Sequence, residues 1–253
     1  MAEEGTAIPE EFLSETFFFQ FEKLVDGVPR ILGNTLIPGN CHLTMLAFSR
    51  SRPGYDFYWQ VEYDVVFQGS WKTLFEPWSC DTSDLLAAHL RSEREEPRWQ
   101  WWKSMNTPGR SLSDPMTRAF LPIYRISRKG IEALEHCVNH GWSGHFEGLI
   151  PTALRHTSLT LKDLGENRFY TTSRSRNGIL NFGTHRAWPA HFLPLLGRNL
   201  IYHPVKPLSQ RRTTRPTLLQ ILGLFRRRPW SFVRQTLWTI FVEIRSRSSK
   251  DRN

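Results

Sequence analysis

Two short stretches of the chain carry side chains whose type and spacing suit chemistry. In Tyr58–Trp71, YWQVEYDVVFQGSW, an apolar run leads into Glu62-Tyr63-Asp64. Carboxylates two residues apart project to the same side of extended backbone. At the end of a buried strand such a pair can hold a hard divalent cation, Mg²⁺ or Mn²⁺, and leave coordination positions for diphosphate oxygens. A solvated strand end is the plain alternative. In Trp142–Thr152, WSGHFEGLIPT, Glu147 stands where a glycine-containing loop enters a helix. A carboxylate there can face a cleft and take a proton from a hydroxyl. The same position also suits an acidic residue for electrostatic reasons alone, because the helix N-terminus is positive.

Other residues are candidates of a weaker kind. Trp99, Trp101 and Trp102 (WQWW) offer a platform for stacking flat ligands, or simply large area for a core. Arg125 can meet a phosphate or pair with a neighbouring carboxylate. Together Arg125, Trp99 and Trp102 are the candidate ligand-binding residues. His136 and His140, four apart, form a zinc cluster only if His145 joins them. Cys41, Cys80 and Cys137 have no paired spacing, so neither a disulfide framework nor a zinc ribbon is expected.

Positioning these groups requires strands and helices in alternation. Phe17–Phe21 and Phe57–Val61 read as short aromatic-rich strands, whereas periodicity leaves His42–Phe48 and Leu85–His89 open between helix and strand. Ser127 caps a helix to about Asn139, with Ile131, Leu134 and Val138 on its inner face and Gly141 beyond its end. A second helix runs from Phe146 to His156, and Ile179–Phe182 and Asn199–Tyr202 are further short strands. The class is α/β, with a boundary in the Pro/Arg-rich stretch from Lys206 to Pro216. Residues 1–206 are one domain, and 207–253 a basic linker and amphipathic tail.

The 253 residues carry 40% hydrophobic side chains, enough for a sizeable core, which excludes a disordered chain. The net charge of +9 resides in the tail, where 12 Lys+Arg face 2 Asp+Glu from Lys206 onward. There Trp230, Val233, Leu237, Ile240, Phe241 and Ile244 recur at helical spacing, a pattern that lies on an anionic membrane surface or packs on the body. The tail lacks a nucleic-acid-binding motif. With an acidic N-terminus and no apolar run of roughly 18 residues, the chain is expected to be cytoplasmic, with contact to the inner face of a membrane falling to the tail.

The order EYDV–G-x-W, DLL-x-x-H, W-x-WW, P-x-YRIS, GW-x-GHFE-x-LIPT and IYHPVKP, over roughly Pro38 to Pro207, resembles nucleotide-diphospho-sugar transferase-like proteins of the GT-A glycosyltransferase type. The resemblance implies a Rossmann-type mixed sheet flanked by helices. Because the acidic motif begins at residue 62, it implies a shortened N-terminal nucleotide-binding half. It assigns Glu62 and Asp64 to the metal and diphosphate motif and Glu147 to the acceptor side. His203 in Tyr202-His203-Pro204 becomes the third metal ligand. The implied activity is sugar transfer from a nucleotide diphosphate to a hydroxyl of a carbohydrate or glycan acceptor, with Mn²⁺ or Mg²⁺. The alternative is a non-catalytic carbohydrate-binding or membrane-peripheral scaffold on the same fold. Open α/β sheets place their crevices at strand ends, so Glu62 and Asp64 are expected to close a central strand with Glu147 across the same cleft.

Overall fold

The computed structural model describes residues 1–111, 114–164 and 199–206. The strand expected at Ile179–Phe182, the linker beyond Lys206 and the tail helix lie outside the described residues. The described residues divide into two compact units, one of Met1–Val61 with Thr82–Leu164, the other of Glu62–Asp81 with residues 199–206.

In the first unit, β1 (Ala2–Glu3) pairs in parallel with β2 (Phe18–Phe19), and α1 (Phe21–Val25) and α2 (His42–Ser51) follow. Strand β3 (Phe57–Val61) comes next in this unit. The second unit contributes β4 (Val66–Phe67) and α3 (Trp71–Phe75). Returning to the first unit, the chain forms β5 (Leu85–Ser92), β6 (Thr117–Ser127), α4 (Arg128–Asn139), α5 (Phe146–His156) and β7 (Leu161–Asp163). The last described strand, β8 (Ile201–Tyr202), belongs to the second unit. No helix among the described residues is long and apolar enough to cross a membrane.

The main sheet has the order β3-β6-β5-β7 and is mixed: β6 runs antiparallel to both its neighbours, and β7 runs parallel to β5. One of its two interior strands is β6, eleven residues all buried, a strand that periodicity does not announce because both of its faces are covered and it contains Pro122. A proline in a central strand normally forfeits a ladder bond. Here β3 reaches only as far as Ile123, and β5 steps from Tyr124 directly to Phe120, so Pro122 falls in a gap on both sides. At the matching irregularity of β5, His89 takes φ 56, and the Asp163 carboxylate accepts from the N–H groups of His89 and Leu90 at 3.3 and 2.9 Å.

The position of β3 overturns one expectation. Among the described residues it is an edge strand, so Glu62 and Asp64 do not close a central strand. The placement rule for open parallel sheets therefore does not locate the pair. The physical reason is that β6 and β5, both fully buried at their apolar centres, outcompete the half-exposed β3 for the interior of the sheet.

The helices behave as their patterns predict. Ser127 Oγ accepts from Gly130 N at 2.9 Å and donates to Asp84 Oδ1 at 2.7 Å, which starts α4 and ties it to β5. Ile131, Leu134, Cys137 and Val138 face the core, and Gly141, with φ 84, ends the helix. Helix α5 packs on β6, where Thr152 Oγ1 donates to Thr117 O at 2.8 Å and accepts from Thr117 N at 3.0 Å. Leu149 and Ile150 are wholly buried, each contributing roughly 1.5–3 kcal/mol by leaving water. The two ambiguous segments resolve oppositely: His42–Ser51 is helix, and Leu85–Ser92 is strand.

Candidate metal centre

The second unit builds its site on a short antiparallel ladder. Val66 pairs with Tyr202 and Phe67 with Ile201. Gln68 N donates to Leu200 O at 3.0 Å, Asn199 N to Gln68 O at 2.7 Å, and Val205 N to Asp64 O at 2.8 Å. This register sets His203 beside Asp64, although the two are 139 positions apart in sequence. At Gly69, at the end of the ladder, a Cβ would lie 2.5 Å from Asn199 Oδ1 and 2.9 Å from the Phe67 ring, so a larger residue there would have to displace those side chains. Trp71 stacks on Phe75 at 5.6 Å behind the ladder.

Glu62, Asp64 and His203 each offer one ligand atom, all within 4.8 Å of one another. His203 Nε2 is 3.2 Å from Glu62 Oε2 and 3.6 Å from Asp64 Oδ1. Neighbouring ligands of an octahedral ion, each about 2.1 Å from it, stand about 3 Å apart, so these separations suit a shared cation. A hydrogen bond from the imidazole would explain the Glu62 contact equally well. It would not explain Asp64, whose Oδ1 is buried and accepts no hydrogen bond. A buried carboxylate oxygen without a donor is costly unless a cation completes it, so the residues present fit a divalent ion.

The second Asp64 oxygen is engaged. Lys206 Nζ lies 2.5 Å from Asp64 Oδ2 and 2.9 Å from the Tyr63 hydroxyl, and sits 4.6 Å from the centre of the Tyr63 ring. Burial disfavours the ammonium, but its bonds to Asp64 and Tyr63 and the Asp64 charge outweigh that and raise the Lys206 pKa above the ordinary lysine value. Lys206 and Tyr63 are site residues that sequence reasoning did not assign. The available signal was the lysine three positions after His203.

Glu147 lies in the first unit, on the opening turn of α5. Its backbone N–H points to His145 Nδ1 at 3.4 Å, which makes Nδ1 the acceptor and leaves the ring proton on Nε2. Burial lowers the His145 pKa to about 4, so at neutral pH the 3.9 Å approach of Glu147 Oε2 to this ring is not an ion pair. His145 is enclosed by aromatic rings, stacked with Trp101 at 4.6 Å and edge-on to Trp99 at 5.8 Å.

Trp99 and Trp102 are both buried and pack with Met116, edge to face at 4.6 Å, with Trp102 Nε1 donating to Glu96 O. Of the three tryptophans, Trp101 is the half-buried one. Arg125 is also buried, its Nη2 donating to Ser83 O at 3.1 Å and its guanidinium 4.2 Å from the Phe57 ring centre. The His136 and His140 rings, at the end of α4, lie 4.1 Å apart and tilted to one another, and His140 Nδ1 contacts His136 O at 2.8 Å. Among the described residues the group of Glu62, Asp64 and His203 is the one with metal-ligand spacing, and these histidines do not join one.

The structure thus gathers Glu62, Asp64 and His203 in one unit and Trp99, Trp102 and Glu147 in the other. Compared with known protein families, curated proteins and solved structures, the chain matches none. The protein is of mixed α/β class, its mixed sheet flanked by helices, with a carboxylate–histidine cluster suited to a divalent cation.

Proposed function

We propose that this protein is a divalent-cation-dependent glycosyltransferase that moves a sugar from a nucleotide-diphosphate donor to a hydroxyl of a carbohydrate acceptor. The observation that carries the reading is the buried, donorless Oδ1 of Asp64 facing His203 beside Glu62. The finer fold assignment, a GT-A-like Rossmann-type sheet with a shortened nucleotide-binding half, rests on the order of the sequence motifs. Strand direction does not argue for it, since two of the three pairings in the sheet are antiparallel.

In this reading Glu62, Asp64 and His203 hold Mn²⁺ or Mg²⁺, which when bound offsets charge on the leaving diphosphate. Glu62 and Asp64 supply the negative charge that attracts the ion, and His203 supplies a nitrogen ligand that favours Mn²⁺ over Mg²⁺. Glu147 orients the acceptor hydroxyl and takes its proton. Burial keeps the neighbouring His145 neutral at pH 7, so its ring brings no positive charge to that carboxylate. The reading extends to a cytoplasmic protein whose basic residues after Lys206 meet an anionic membrane surface.

A melting screen of nucleoside diphosphates with Mn²⁺ tests the activity class. An enzyme of this kind is stabilised by one nucleotide over the others and loses that response in Asp64→Asn. A chain indifferent to every nucleotide is the non-catalytic scaffold instead. Co-sedimentation with anionic vesicles tests the tail: deleting residues 217–253 should abolish binding, and a soluble truncation that still sediments would refute that part.

A further inference from the structure

Asp64 serves two cationic claims with its two oxygens. Oδ1 faces His203 Nε2 at 3.6 Å, while Oδ2 is held by Lys206 Nζ at 2.5 Å. The side chains of Lys206 and Asp64 are 17% and 7% exposed, so their attraction is only weakly screened by water. Tyr63 steadies the ammonium through its hydroxyl and ring, although Tyr63 itself is 84% exposed. This lysine is close enough to satisfy part of the charge that an arriving ion would need.

We propose that Lys206 is a built-in competitor for the cation, a tethered positive charge that weakens the site for a bare divalent ion. The inference rests on the reading of Glu62, Asp64 and His203 as cation ligands. The charge count shows how it works. Two carboxylates give −2, and Lys206 cancels one of these, so an ion meets a site of net −1 with a like charge on the same carboxylate. Once loaded, the site carries a net +1. An anionic ligand balances that excess, so ion and anion stabilise each other's binding, whereas the ion alone binds poorly. A site lacking Lys206 would be neutral with the ion bound and would have no such need.

The test is Mn²⁺ titration of the full chain, read from the electron paramagnetic resonance of the free aqueous ion, with no nucleotide present. Lys206→Met keeps the apolar stem and removes the charge; it should bind Mn²⁺ about tenfold tighter, the scale set by loss of one hydrogen bond to a charged group. Lys206→Arg, which retains the charge, should stay near the wild-type affinity. Tyr63→Phe removes one anchor of the ammonium at an exposed position and should tighten binding by about two- to threefold. That variant decides the matter if Lys206→Met does not fold. Lys206→Met or Tyr63→Phe binding Mn²⁺ no tighter than wild type overturns the competitor. Asp64→Asn separates the two failures. If it abolishes Mn²⁺ binding while Lys206→Met leaves affinity unchanged, only the competitor is wrong. If no variant binds Mn²⁺, the cation reading fails and the competitor with it.

Discussion

Asp64→Asn probes the centre in two states at once. Without metal, the substitution removes one partner of an ion pair whose side chains are 7% and 17% exposed. Breaking a buried pair from one side costs about 3–5 kcal/mol. The asparagine carbonyl still accepts from Lys206, which brings the expected loss to about 2–3 kcal/mol. In a chain of this length each kcal/mol moves Tm by about 2–4 °C, so the metal-free variant should melt about 4–12 °C below wild type. With Mn²⁺ at about a hundred times its Kd, wild type gains about 2.7 kcal/mol, an upward shift of about 5–11 °C. Asp64→Asn should gain nothing, so the gap between the two proteins widens when metal is added. Calorimetric melts with and without MnCl₂ measure both effects. An Asp64→Asn protein that responds to Mn²⁺ as strongly as wild type would show that the ion binds elsewhere and refute the assignment of Glu62, Asp64 and His203.

Once a donor and acceptor are found, Glu147→Gln should lower kcat by about 10²–10⁴-fold with the melting curve unchanged, and a loss of only a few-fold would remove Glu147 from the chemistry. His42, His89 and His145 are held neutral by burial, with pKa values lowered to about 4, about 3 and about 4. Their folded values lie below the unfolded 6.5, so stability is full above that pH, falls as the unfolded chain takes up protons, and stops falling below about 4 (about 3 for His89). By linkage each contributes a loss on the order of 2 kcal/mol at pH 5 relative to pH 7, and a Tm that is flat over that interval would contradict it. Thr152→Val keeps the shape of the side chain but deprives the buried Thr117 backbone of its reciprocal bonds, and denaturant titration should show a loss of about 1–3 kcal/mol.

The features legible from residue types and spacing alone are local. Ser127 as a helix cap, the inner face of Ile131, Leu134 and Val138, the glycine stop at Gly141 and the bounds Phe146–His156 follow from contacts within a few residues of chain, and the structure contains each of them. The acidic pair was legible too, because its spacing is local, and the lysine and histidine near the end of the described chain were visible as types. Their partnership was not derivable from spacing: only the resemblance attached His203 to Glu62 and Asp64, and nothing attached Lys206. The tertiary structure decided that link through the β4–β8 register, which spans a long chain separation that no periodicity encodes. It also decided the sheet order. Whether Leu85–Ser92 is helix or strand, and whether Thr117–Ser127 can be central despite Pro122, depends on which neighbours cover each face. Burial on both faces erases the alternation by which a strand is read, so the most buried strand, β6, was the least legible one.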